Sequence, residues 1–365
     1  MSRDGADSSE RLLTPTDIAK LAGVGRAAVS NWRRRYADFP ELAEEGGGPK
    51  FRYSEVVRWL REHERFAVST AETLWQALEA THGPLGMQRA VAQIAAYLAG
   101  LSDGEEVTQP ARGQAAALER SARGDAVEYL TTRLFERQQR QQLSTPQGLA
   151  DLIVELVGPL EGSTVFDPAC GSAAVLRTAA QRGAQFVLGQ EMDQDLALLA
   201  AARLALASAE PGVVAAGDSL RADAHRELRA DVVVCDPPFG YRDWGSEDLM
   251  IDSRWKYGVP PKTEPELAWL QHCLARCRPG GTIIIVLPAG VAARRAGRSI
   301  RKELLRAGAL RAVLALPPGV LKSTAIALHV WVLRNPDGSN ADPVLLIDTT
   351  HEVPPLPWRA LSMVR

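Results

Sequence analysis

Two kinds of apolar spacing divide the chain. From Ser69 to Leu101 apolar residues recur at helical intervals, with Leu74, Leu78, Met87, Val91, Ile94 and Leu98 on related faces. A polar stretch rich in Gly and Ala follows, then an amphipathic helix over Ala126–Arg140. Beyond Leu143 the pattern changes to short apolar runs. Thr164–Phe166, Phe186–Gly189, Val213–Ala216, Val232–Cys235, Thr282–Leu287 and Arg311–Leu316 read as buried strands, with a further strand in ALHVWVL and a last one over Val344–Ile347. Helices are predicted between them at Ala173–Arg182, Glu266–Arg278 and Ser299–Ala307. Another is predicted over Leu143–Val157, capped by Ser144 or Thr145 with Pro146 in its first turn. Strands alternating with helices predict an α/β fold built on a parallel sheet.

The first 65 residues follow a third pattern. Thr16 is a candidate cap for a helix DIAKLAG, Gly23–Gly25 form a tight turn, and RAAVSNWRRR forms a second helix. Ala19, Leu21, Val24, Val29 and Trp32 fall at core positions, which leaves Arg26, Ser30, Asn31, Arg33 and Arg34 facing outward. Glu45–Gly48 reads as a wing tip or loop. Cationic, amide and hydroxyl groups on one helix suit phosphates and base edges in a major groove. A helical protein-interaction module with a solvated arginine face is the other reading. The predicted organisation is 11–65, a winged helix-turn-helix-like unit; 66–140, helical; 141–350, the α/β domain; and 351–365, a C-terminal tail.

Two stretches carry chemistry. In FDPACGSAAVL a strand ends at Asp167 and Pro168, Gly171 permits a positive φ, and a helix opens. Ligands of open parallel sheets bind where strand ends meet helix starts. The spacing is not GxGxxG. Further on, Glu191 and Asp218 end the next two strands, and Glu191 is placed to accept hydrogen bonds from ribose hydroxyls. Three acidic strand ends suit a positively charged nucleoside, whereas a phosphate ligand calls for Lys or Arg. In VVVCDPPFG, Asp236 is followed by two prolines that remove donors and turn carbonyls outward as acceptors. Such a turn can hold a planar amino group, and Phe239 can stack the ring that bears it.

Composition changes this picture little. A chain of 365 residues holds two or three domains, and a net charge of -2 requires any nucleic-acid contact to be a local patch. No apolar run spans a bilayer and the start has no signal-peptide core. Cys170, Cys235, Cys273 and Cys277 fall inside predicted core elements, which implies reduced thiols and a cytoplasmic setting. His272, Cys273 and Cys277 lie close in sequence without a fourth ligand, so no metal site is expected. In 241–263, Trp244, Trp255, Lys256 and Tyr257 either pack a loop or contact nucleic acid.

FDPACGS together with DPPF resembles the amino-methyltransferases that use S-adenosylmethionine, and more narrowly the adenine-N6 DNA methyltransferases. The motif order, with LPAGV, IRKELL and LPPGV..STAI, is similar to the methylation subunit of type I restriction-modification systems from about Leu74 to Thr349. The start of the chain resembles the winged helix-turn-helix of excisionases and mercury-resistance regulators. The resemblance implies a Rossmann-like methyltransferase fold with an N-terminal helix-turn-helix and a helical domain. It implies S-adenosylmethionine held by Thr145 and Pro146 of a TP element, by Asp167, Ala169, Gly171 and Ser172, by Glu191 at the ribose and by Asp218 at the adenine. It also implies Asp236, Pro237, Pro238 and Phe239 as the catalytic turn, with DNA as substrate and a separate specificity or restriction subunit as partner, because little chain follows the last strand. The other functional readings are methylation of protein glutamine or RNA, and a degenerate methyltransferase acting as a DNA-binding regulator. Four positions depart from the family pattern: Ala173 and Ala174 stand for two glycines, Asp236 for Asn and Ala325 for Gly. The two extra methyls are expected to crowd a ligand at the helix start.

Overall fold

The computed structural model describes residues 12–22, 24–44, 48–63, 70–137, 145–208, 212–320, 326–339 and 343–351. Ser144, Gly23, the tip residues 45–47, Ala325 and the tail from 352 lie outside them. The chain forms two compact units that divide between Gln76 and Ala77.

The first unit contains β1 (Leu12–Leu13), α1 (Pro15–Leu21), α2 (Arg26–Arg35), β2 (Leu42–Glu44), β3 (Lys50–Arg52) and α3 (Tyr53–Glu62). Its strands form an antiparallel sheet in the order β1-β3-β2. So small a unit needs a dense core, and aromatics supply it. Trp59 lies 5.7 Å from Trp32, 5.5 Å from Tyr36 and 4.8 Å from Phe39, ring centre to ring centre. Two expectations are corrected. The cap of α1 is Thr14: its Oγ1 accepts from Asp17 N–H while the Asp17 carboxylate accepts from Thr14 N–H. This reciprocal box leaves Pro15 at the first helical position and puts Thr16 inside the helix. Val24 sits in the turn and is exposed, because the turn points it away from the cluster that takes Ala19, Val29 and Trp32.

Helix α4 (Thr70–Ala99) crosses the division between the units and breaks at Gly83, φ 60°, where Pro84 follows. All six apolar positions predicted for its inner face are buried. After it come α5 (Gln109–Ala116), α6 (Arg123–Arg137) and α7 (Gln147–Val157), then β4 (Thr164–Asp167), α8 (Ala174–Gln181), β5 (Phe186–Glu191), α9 (Gln194–Ala207), β6 (Val213–Ala216) and β7 (Ala230–Cys235). The unit continues with α10 (Pro265–Arg276), β8 (Cys277–Pro288), α11 (Arg298–Arg306), β9 (Leu310–Ala315), β10 (Leu328–Arg334) and β11 (Leu345–Asp348).

These strands make one sheet in the order β11-β9-β10-β8-β7-β4-β5-β6. Strands β4 to β8 are parallel, and β10 runs antiparallel between β8 and β9. Alternate residues feed two cores: Val232, Val234, Ile284 and Val286 pack with α7 and α8, while Val233, Cys235, Ile283 and Ile285 pack with α10. From β4 the chain winds outward through β5 and β6, then returns to place β7 on the other side of β4. The strand order therefore reverses between β4 and β7, where a crevice opens at the carboxyl ends. The four cysteines are buried and free, and Cys277 opens β8 rather than closing the preceding helix. No metal-holding cluster and no helix long and apolar enough to cross a membrane occurs among the described residues.

Candidate active site

The β4 turn is held by its own first residue. Asp167 Oδ1 accepts from Ala169 N–H at 2.9 Å, and the chain turns through Gly171 (φ 52°) and Ala173 (φ 62°) before α8 begins at Ala174. The predicted helix start at Ala173 moves by one residue because Ala173 adopts the left-handed conformation, the one non-glycine to do so among the described residues. Its methyl is fully buried in the core, so it does not crowd the crevice; that of Ala174 is on the crevice wall. Strand β5 lies tight against this turn: a Cβ on Gly189 would come within 2.8 Å of Cys170 Sγ. The approach brings Glu191 Oε2 to Gly171 N–H at 2.9 Å, while Oε1 accepts from Asp193 N–H. Arg203 of α9 is buried; its Nη1 donates to Ser172 Oγ at 2.9 Å and its other nitrogens to Glu128 of α6 at 2.8 and 2.7 Å.

The loop after β6 completes this side. Asp218 Oδ1 accepts from Leu220 N–H at 2.9 Å, and Ser219 Oγ donates to Pro168 O at 2.6 Å, tying loop to turn. Arg254 fastens the same loop: its guanidinium donates to the carbonyls of Ser219 and Leu220, to both Asp252 oxygens and to His272 Nδ1. Burial, then Arg254 and Arg276, hold the His272 pKa well below the usual range, so the ring accepts as a neutral group. Trp244 and Trp255 are buried and donate to the carbonyls of Lys262 and Leu249. Both tryptophans of 241–263 thus pack the loop, and Trp244 also lines the cavity described below.

At the end of β7, Asp236 Oδ2 accepts from Thr145 Oγ1 at 2.9 Å. Thr145 therefore does not cap α7, which starts at Gln147 with Pro146 as its flanking residue. Asp236 Oδ1 and the Pro237 carbonyl have no hydrogen-bond partner among the described residues. Burial pushes the Asp236 pKa up to about 6, against the lowering effect of Thr145. Asp167 is pushed up to about 8, by burial first and then by repulsion from Asp236 and Glu191. Burial also raises Glu191.

These elements enclose about 950 Å³, including the part open to solvent. Of the predicted residues, Thr145, Ala169, Gly171, Ser172, Glu191, Asp218, Asp236 and Pro238 line it. Pro146, Asp167, Pro237 and Phe239 do not: Asp167 is buried behind the turn, and Phe239 is half-buried against the sheet core. Reading the sequence missed Met192, Leu196, Leu220, Tyr241 and Trp269 on the wall, of which Met192 and Tyr241 are exposed. Met192 directly follows Glu191, a signal that was available. Among the described residues no Lys or Arg lines the cavity. In the first unit Arg26, Ser30, Asn31, Arg33 and Arg34 are all exposed on α2; Arg34 donates to Asn31 at 3.3 Å, and Arg33 lies 5.2 Å from the Phe51 ring centre.

Residues 119–360 match the N-6 DNA Methylase family, and the chain belongs to that family. Among curated relatives it is 31% identical over 239 residues to the type I restriction enzyme HindI methylase subunit of Haemophilus influenzae, covering 62% of this chain and 53% of that one. It is 26% identical over 205 residues to the MjaIX methylase subunit of Methanocaldococcus jannaschii, covering 52% and 36%. The chain spans about half the length or less of these relatives. Among solved structures, a Listeria monocytogenes protein described as a class I S-adenosylmethionine-dependent methyltransferase superposes with a TM-score of 0.64 at 18% identity, over 82% of this chain and 98% of that one. The type I restriction-modification methyltransferase subunit of Streptococcus thermophilus superposes with a TM-score of 0.60 at 21% identity, over 92% and 79%. These likenesses establish a methyltransferase-type α/β fold with a mostly parallel sheet.

Proposed function

We propose that the chain transfers a methyl group from S-adenosylmethionine to the N6 amino group of adenine in DNA, as the methylating subunit of a restriction-modification system whose sequence specificity comes from a partner. The observation that carries this reading is the unpartnered acceptor Asp236 Oδ1 on the wall of a cavity whose other acidic residues are Glu191 and Asp218, with the Pro237 carbonyl, also unpartnered among the described residues, in the turn that follows. The residues fit the cofactor. Carboxylates without a neighbouring Lys or Arg favour a cation with hydroxyl and amino donors over a phosphate, and Met192, Leu196 and Leu220 offer apolar contact for a base. When bound, S-adenosylmethionine supplies an electrophilic methyl on a sulfonium.

The protein's own contribution is positioning. An adenine must leave the duplex to reach the cavity, where Tyr241 offers a ring surface, with the half-buried Phe239 two residues before it in the turn. Its amino hydrogens bond Asp236 Oδ1 and Pro237 O, which turns the nitrogen lone pair toward the methyl. Thr145 holds Asp236 by its other oxygen, so the acceptor keeps one orientation. After transfer the nitrogen sheds a proton, and a carboxylate with a pKa near 6 receives it. The exposed polar face of α2 is the proposed second DNA contact, in the manner of a winged helix-turn-helix.

Asp236→Ala tests the assignment. Tritium transfer to duplex DNA falls at least about a hundredfold, the cost of lost positioning, while calorimetric binding of S-adenosylmethionine persists. In the wild type, transfer falls as pH drops through about 6, where Asp236 takes up a proton. Loss of cofactor binding in a folded Asp236→Ala protein contradicts the division of roles.

A further inference from the structure

We propose that a second cavity beside the catalytic turn seats the phosphodiester backbone of the DNA next to the target base. This rests on the DNA reading above. The cavity encloses about 860 Å³, including its open part, and is lined by Gly240, Arg242, Thr263, Glu266, Arg294 and Arg295 among others. It begins where the catalytic turn ends: Gly240 N–H donates to Glu266 Oε1 at 3.1 Å, and Glu266 Oε2 meets Arg294 Nη1 at 3.4 Å. One buried carboxylate thus fixes both the turn and the first arginine.

The segment bearing the arginines is anchored as well. Glu264, also buried, accepts from Gly297 N–H at 2.9 Å, and a Cβ at Gly297 would come within 2.3 Å of Leu267 Cδ1. Arg301 donates to the Val291 carbonyl at 2.9 Å. The two carboxylates therefore face inward and are used in holding the wall. The side chains of Arg242 and Arg295 are exposed and have no hydrogen bond or ion pair with any described residue, and the same is true of Arg298 and Lys302 on the neighbouring α11. A mouth of unpaired cations on a fixed wall suits a polymer of phosphates, since each cation that neutralises a phosphate releases condensed counterions. An open site with exposed cations offers little to an isolated small anion, which needs buried donors. Continuity with the turn gives the groove its use: an extruded adenine stays in the cavity only while the strand on either side of it is held.

The test is equilibrium binding of the full chain to a fluorescent duplex of mixed sequence across a salt series, for the wild type and Arg242→Ala/Arg295→Ala. The double variant is expected to lose at least about tenfold in affinity at low salt, and its plot of log affinity against log salt to be shallower by about 2, close to 0.9 for each phosphate left without its arginine. Calorimetric binding of S-adenosylmethionine stays unchanged, and Arg242→Lys/Arg295→Lys restores the slope. An unchanged slope in the folded alanine variant overturns the proposal, as does a wild type that binds no duplex or prefers a polyglutamate competitor. The broader reading is judged separately, by tritium transfer from S-adenosylmethionine to DNA in the wild type. Transfer with an unaltered slope sinks the groove alone.

Discussion

The two cavities served by residues 236–242 carry opposite electrical characters. In the first, Glu191, Asp218 and Asp236 stand without a Lys or Arg on the wall among the described residues. In the second, the carboxylates are buried and turned to structural use, and the arginines face outward. On the proposed reading, the difference lets one turn serve two unlike partners. Carboxylates without cations beside them respond to burial by holding protons, which is what the raised pKa values of Asp167, Asp236 and Glu191 express, with repulsion from Asp236 and Glu191 adding to burial at Asp167. Paired carboxylates leave a net positive mouth instead. Such walls favour a cation in the first cavity and a polyanion in the second, so each proposed partner is disfavoured where the other would bind.

The largest effect expected from breaking this separation on the pocket side comes from Glu191→Gln. The amide keeps an acceptor for Gly171 N–H but loses the charge. Hydrogen bonds to charged groups contribute about 1.5–3 kcal/mol, so affinity for S-adenosylmethionine should fall roughly ten- to a hundredfold by calorimetry. The salt dependence of DNA binding should not move. If it does, the two cavities are not independent.

A smaller effect comes from Asp167, which lies behind the wall yet feels it. With a pKa of about 8 against 3.8 for the ordinary group, it is largely protonated near neutrality in the free protein. A cationic ligand lowers that pKa, so binding at pH 7.5 should release protons. Calorimetry in buffers of differing ionisation enthalpy measures the release, and Asp167→Asn should remove most of it. The stability sign follows. A folded-state pKa raised above the unfolded one stabilises the protein fully below pH 4, and that contribution is lost as pH rises through about 8. The melting temperature of the free protein should therefore decline between pH 6 and 9, and decline less in Asp167→Asn, which retains the Ala169 hydrogen bond.

The strands, the order of motifs and most of the pocket's acidic residues were legible in the sequence because each depends on local pattern: an apolar run, a glycine after it, a carboxylate at its end. What escaped depends on interactions between distant segments. Nothing near Thr145 announces that its hydroxyl meets Asp236, 91 residues away. Arg254 reads as one more loop cation, yet it is buried and tied to carbonyls 34 and 35 residues upstream. The exposure of Val24 and the capping by Thr14 rather than Thr16 were decided by the direction of a turn and by a reciprocal pair of hydrogen bonds, neither visible in apolar spacing. The placement of Asp167 behind the wall follows from its hydrogen bond to Ala169, which turns the carboxyl into the loop.

The smallest effect sharpens the comparison at the pocket's own edge, where two adjacent alanines differ in kind. Ala173 is left-handed and its methyl is in the core; Ala174 is helical and its methyl is on the wall. Replacing Ala173 by Gly relieves a steric cost of about 1–2 kcal/mol. It also forfeits about 0.8 kcal/mol of methyl burial and about 0.5–1 kcal/mol of chain entropy. These terms nearly cancel, so Ala173→Gly should leave stability within about 1 kcal/mol of wild type and cofactor affinity unaltered. Ala174→Gly has no strain to relieve and should cost about 1 kcal/mol, since glycine is the poorer helix former. Denaturant midpoints for the two single variants decide this. A clear gain in affinity from Ala173→Gly alone would show that its methyl reaches the ligand after all, and would place that family departure in the binding site rather than in the core.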